Sequence, residues 1–173
     1  MKTKSCLILG AALLALLAGC ASAGPALVLA PVGPAPRAGS PQGSRGALVV
    51  YSAFNTGVPN PSLPDDFRPH TDYELRAEDG KLLQRIANQA AARSEDPATL
   101  PLVPGRYRVV ARANGYGRVT VPVVIVANRV TEVHLEGGSP RSGRFSENTT
   151  VRLPDGEVVG WQATEESTGA GRQ

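Results

Sequence analysis

The residues of this chain that could do chemistry are few, and their spacing says what each could be. His70 and His134 are its two histidines. A zinc site needs three or four converging ligands, and no His-x-x-x-His pair occurs. His134 alternates with Val133 and Leu135, which predicts an outward-facing imidazole on a strand, and His70 falls in a proline-rich loop. Both are therefore read as surface imidazoles. Adjacent carboxylates occur at Asp65-Asp66, Glu78-Asp79 and Glu95-Asp96. Paired carboxylates can hydrolyse glycosides or hold Ca²⁺. Neighbours on a strand point apart, however, and no Asp-x-Asp-x-Asp ladder is present. No Gly-x-Ser-x-Gly elbow occurs, and no nucleophile–base pair can be named. The sequence predicts no catalytic residue, no metal and no cofactor.

One stretch carries a sharper signal. "PGRYRVVARANGYGRV" (104–119) interleaves Arg106, Arg108, Arg112 and Arg118 with Tyr107 and Tyr116, a pattern common in nucleic-acid binders. Two observations oppose that reading. Formal charge is +3 from 18 basic and 15 acidic residues; without Lys2 and Lys4, which lie in the leader described next, it is 16 − 15 = +1. Nucleic-acid affinity comes largely from a concentrated basic excess. In addition, period two puts Tyr107, Val109, Ala111 and Ala113 on one face of a strand and Arg106, Arg108 and Arg112 on the other. A base-stacking surface needs aromatics and arginines together. The arginines are read as a solvated stripe, a contact for acidic groups, and no nucleic acid is expected.

The two cysteines, Cys6 and Cys20, both lie near the N-terminus, so the rest of the chain can form no disulfide. "MKTKSCLILGAALLALLAGCASAG" has a positive start at Lys2 and Lys4, an apolar run over 7–18, and small residues after it. This is the layout of a secretory signal. The run is shorter than the ~20 apolar residues a spanning helix needs. Leu17-Ala18-Gly19-Cys20 resembles the lipobox of bacterial lipoproteins. The resemblance implies a leader over 1–19, acylation of Cys20, and attachment to the membrane through acyl chains such as palmitate. Ala21 follows the cysteine, where an inner-membrane lipoprotein often has Asp, so the resemblance implies the outer membrane rather than the inner. An ordinary cleaved signal peptide is the alternative.

Residues 20–45 hold five prolines among Ala, Gly and Ser. They read as a tether with a reach of up to about 80 Å, the alternative being a stray strand over 26–29. From Gly46 the pattern is that of strands. "GALVVYSAF" is one, and 55–70 is a long loop. "DYELRA" and "KLLQRI" flank Asp79-Gly80, a preferred two-residue hairpin turn. That register sets Tyr73 against Ile86, Glu74 against Arg85 and Ala77 against Leu82. A helix over 81–93 competes, since Leu82, Leu83, Ile86 and Ala90 fit a helical stripe; the strand explains the charges as well as the core. "ATLPLV", Arg106–Ala113, 119–127 and "VTEVHL" complete the set. Pro122 cannot donate to a ladder, so its strand is expected to be an edge or bulged. The sequence therefore predicts an all-β fold: an antiparallel β-sandwich of about seven strands over 46–138, Ig-like or prealbumin-like. A flexible linker (139–150), a docked hairpin (151–162) anchored by Trp161, and a disordered tail (163–173) follow.

"LPLVPGRYRVVARANGYGRVTVPVVIVANRVTEVHL" resembles carboxypeptidase regulatory-like (prealbumin-like, PEGA-like) modules. The matching residues are Pro104, Gly105, Tyr107, Val109, Ala111, Gly115, Tyr116 and the valines from 119 to 126. The match is close over 100–135 and extends over 46–137. It implies a β-sandwich without catalysis of its own. Together these readings lead to a non-enzymatic, lipid-anchored envelope protein that presents the sandwich to a protein or glycan. The loop 55–70 and Arg106, Arg108 and Arg112 are its expected contact surface. The second expectation is an assembly accessory that adds to another protein's sheet edge near Pro122.

Overall fold

The computed structural model describes residues 27–34, 45–56, 67–91, 93–138 and 149–163. The leader, Cys20, Asp65-Asp66, most of the 55–70 loop and of the 139–150 linker, and the tail beyond 163 lie outside them. Eleven strands are present among the described residues: β1 (Leu27–Val28), β2 (Val32–Gly33), β3 (Gly46–Tyr51), β4 (Tyr73–Ala77), β5 (Leu82–Ile86), β6 (Thr99–Leu102), β7 (Gly105–Ala113), β8 (Gly117–Ile125), β9 (Val130–His134), β10 (Thr150–Arg152) and β11 (Val158–Gln162). Leu82–Ile86 is strand, not helix.

A large sheet runs β10-β11-β2-β8-β7-β4-β5, with β1 also on β8, and a small one runs β6-β3-β9. Their inner faces share one apolar cluster. Leu48, Val50, Val133 and Leu135 come from the small sheet; Leu75, Val109, Val119, Val121 and Val159 come from the large one. With few aromatics available, β-branched Val fills this layer, which suits a pleated, half-buried surface. The fold is all-β and consistent with a sandwich, but it is not purely antiparallel. β9 runs parallel to β3, and β1 and β2 run parallel to β8. Alternation fixes which face a side chain takes and carries no record of strand direction.

Within the expected tether over 20–45, the described residues 27–34 need correction: they hold β1, inside the alternative strand over 26–29, and β2. Leu27 and Val28 pair with Val119 and Thr120, and Val32 pairs with Val123. Val32 is fully buried. The β10–β11 hairpin then builds on this segment, with Trp161 opposite Gly33 and Gln162 opposite Val32. The hairpin is therefore part of the sheet and not a separate docked piece. Pro122 explains the gap between β1 and β2, and also why the expected edge is absent. It lies inside β8, opposite Arg108 of β7. The ladder on its other flank stops after Leu29 N–H donates to Thr120 O, and resumes at Val123. A residue with no N–H is accommodated by interrupting the partner strand. Replacing Val32 with Ala should lower stability by about 2 kcal/mol, since it empties a closed site. Urea unfolding of that variant checks it; an unchanged midpoint would restore the tether.

The β4–β5 hairpin keeps Tyr73 opposite Ile86 and Glu74 opposite Arg85. Its register then shifts, placing Arg76 rather than Ala77 opposite Leu82. The turn causes this. Gly80 N–H donates to Ala77 O, and Gly80 alone has positive φ (92°), whereas a two-residue type I′ turn would also need it at Asp79. The same one-glycine turn recurs where Gly156 N–H donates to Leu153 O. The shifted register leaves Leu82, expected on the inner face, 40% exposed beside Leu83 at 49%.

Candidate functional site

The arginine stripe lies where alternation places it. Val109, Ala111 and Ala113 of β7 are buried, and Arg106, Arg108 and Arg112 are exposed on the opposite face. Tyr107 packs against the core and its hydroxyl donates to Val103 O at 2.9 Å. The sheet adds neighbours that one strand's pattern cannot show. Arg118 stands opposite Arg112, Arg76 opposite Arg108, and Arg85 beyond Glu74. Six arginines thus share one face with a single strand-borne carboxylate, Glu74.

Glu74 organises half of them. Arg76 reaches its Oε2 at 2.6 Å, while Arg118 and Arg85 approach Oε1 at 3.2 and 3.7 Å. The Arg76 hydrogen bond, followed by Arg118, holds this carboxyl below the usual carboxylate range against its partial burial. Arg106, Arg108 and Arg112 have no carboxylate within ion-pair distance among the described residues.

Both histidines depart from the expectation of surface imidazoles. His134 does sit on the outer face of the small sheet, yet it is only 8% exposed. Tyr51 stacks on it with centroids 4.5 Å apart and planes 7° from parallel. Its Nδ1 donates to Glu136 Oε1 at 3.1 Å, and Nε2 lies 3.8 Å from Glu132 Oε2. Burial alone would discharge this imidazole; the two carboxylates outweigh it and raise its pKa to about 9. His70 is also buried. Its Nδ1–H donates to Ser52 O at 2.5 Å, and its ring stacks on Phe54 and meets Tyr51 edge-on. The residues at 132, 134 and 136 do alternate outward; the cover over them comes from segments far away in sequence.

This cluster is arranged for structure. His70 meets the carbonyl of Ser52 and not its hydroxyl, which instead donates to Thr71 O at 2.5 Å. Serine and histidine are neighbours here without forming a nucleophile–base pair. His134 is an imidazolium between two carboxylates, with no lone pair to offer a proton. Among the described residues no three His, Cys, Asp or Glu side chains converge as a metal-binding group. Sequence reasoning missed Asn88, which is fully buried. Its amide nitrogen donates to Val50 O at 2.8 Å and Ser52 Oγ at 3.0 Å, and its oxygen accepts from Ala98 N–H at 3.2 Å.

No protein-family profile, curated protein or solved structure matches this chain.

Proposed function

We propose that this is a non-catalytic, lipid-anchored protein of the bacterial cell envelope, acylated at Cys20 and presenting a prealbumin-like β-sandwich to a protein or glycan partner. One observation carries the non-catalytic part. The conspicuous ionisable groups are either locked into the fold, as His70 and His134 are, or spread along one outer face of a sheet, as the arginines are. An active site gathers such groups in a cleft with perturbed, exchangeable protons. An outward charged array suits contact with acidic groups instead. The anchor rests on Leu17-Ala18-Gly19-Cys20 and the apolar run before it. By that motif the outer membrane is favoured.

Cys20→Ser is expected to leave the chain unprocessed and without an acyl adduct. Mass spectrometry of the N-terminal peptide, together with envelope fractionation, reads both outcomes. A processed, membrane-bound Cys20→Ser protein would sink the anchor.

A second reading, an assembly accessory that pairs by its sheet edge, is favoured by β5. It ends the large sheet and exposes Leu82 and Leu83. Exposed apolar edge strands are templates for another chain. Crosslinked partners captured from solubilised envelope, and lost with Leu83→Lys, would support it.

A further inference from the structure

The arginine face and the N-terminal strand meet at one end of the large sheet. Leu27 pairs with Val119, the neighbour of Arg118, and Arg118 faces Arg112 across the β7–β8 hairpin. Seven residue steps separate Leu27 from Cys20, which at full extension cover about 25 Å. With 27–33 built into the sheet, the domain cannot ride at the end of a long leash. If Cys20 carries acyl chains, the sheet is held within about 25 Å of the headgroups.

The chemistry of the arginine face fits that position. Arg76, Arg85, Arg106, Arg108, Arg112 and Arg118 project from it, against Glu74 alone on its strands. Asp72 and Glu78 lie just beyond the ends of β4. Apolar residues flank the array on both sides. Val28 pairs with Thr120, whose side of β8 is the arginine side, and is 63% exposed. Leu83, two residues from Arg85, is 49% exposed on the opposite border. Arginine binds phosphate through a planar, multi-donor fork, and apolar side chains beside it can enter the headgroup boundary.

We infer that this arginine face rests on anionic phospholipid headgroups of the membrane that its own anchor enters. The inference builds on the acylation of Cys20 proposed above. It turns the opposite layer, the outer face of β6-β3-β9 with Tyr51 and His134, toward the envelope space where a protein or glycan partner would be met. A basic surface beside a lipid anchor adds to attachment and fixes which face meets the headgroups. Each basic residue at an anionic surface strengthens binding by about fivefold at low salt.

The full-length Cys20→Ser chain separates the face from the anchor. It is co-sedimented with phosphatidylcholine vesicles and with vesicles containing about one third phosphatidylglycerol, at low salt and at roughly 0.5 M, where the Debye length is only a few ångströms. The leader, with Lys2 and Lys4, adds the same preference for anionic vesicles to every variant, so the change between the Cys20→Ser parent and its arginine variant is the reading. Phosphatidylglycerol should strengthen binding, salt should abolish the gain, and Arg106→Gln/Arg108→Gln/Arg112→Gln should reduce it on the order of a hundredfold. Val28→Ser/Leu83→Ser should weaken it several-fold. These changes are all on exposed positions, and a thermal melt checks that each variant folds. No preference for phosphatidylglycerol, or a preference that the triple substitution leaves undiminished, overturns the inference. Arginine-dependent binding to soluble polygalacturonate without binding to the anionic vesicles overturns it in favour of an acidic glycan. An absent acyl adduct on the wild-type protein defeats the anchor separately, and the vesicle difference still decides the face.

Discussion

Asn88→Ala is expected to destabilise the fold by about 3–5 kcal/mol, as much as emptying a core leucine site. The reason is the number of groups it serves. Its side chain reaches Val50 O and Ser52 Oγ on the β3 segment and the Ala98 N–H before β6, and its own N–H reaches Asp72 Oδ1 before β4. One buried amide thus fastens the start of β4 in the large sheet to β3 and the approach to β6 in the small one. Removing it takes away three side-chain hydrogen bonds. It also strips partners from buried backbone groups, and each such group costs about 1–3 kcal/mol. Asn88→Asp discriminates further: a carboxylate still accepts from Ala98 but cannot donate to Val50 O, so it should be nearly as damaging. Urea denaturation of both variants is the measurement, and a loss below about 1 kcal/mol would show that water can replace the amide.

The second large effect is a dependence of stability on pH from His134. Its pKa in the folded chain is raised from 6.5 to about 9, because Glu132 and Glu136 favour the imidazolium more than burial disfavours it. A raised pKa means that the native state holds the proton more tightly than the unfolded chain. The contribution is therefore complete below pH 6.5, falls as pH rises, and is gone above pH 9. Over that interval it amounts to about 3 kcal/mol as an upper value. Unfolding free energy measured at intervals across it should decline, and the decline should vanish in His134→Asn. A wild-type profile flat from pH 6.5 to 9 would show that Glu132 and Glu136 do not hold the charge.

The same locality explains what was legible beforehand. Tyr73–Ile86 and Glu74–Arg85 pairing could be read because a hairpin is short and its two strands carry complementary faces and charges. Its exact turn could not, since Asp-Gly serves both a two-residue turn and a turn with a glycine bulge, and the choice moves Leu82 and Leu83 by one register step. Pro122 shows the reverse case. The missing N–H was visible, and it does disturb a ladder, but the disturbance fell on the partner strand rather than on the position of β8 in the sheet. The arginine face was half legible. Arg106, Arg108 and Arg112 belong to one strand, whereas Arg76, Arg85 and Arg118 joined them only through pairing and through Glu74.

By itself the sequence determined the β character, the turn positions and, outside the shifted end of β5, the side of the strand on which a residue stands. These follow from residue type and a period of two, which act over a few neighbours. The tertiary structure decided what covers each face. It put Val32 at the centre of a sheet although five prolines surround its segment, because a partner strand more than eighty residues away supplies its ladder. It buried His70 and His134 beside Tyr51 and gave Asn88 its hydrogen bonds. Burial is set by whatever packs on top of a side chain, and here Tyr51 comes from a distant part of the chain, whereas the carboxylates that raise the pKa of His134 are its near neighbours Glu132 and Glu136.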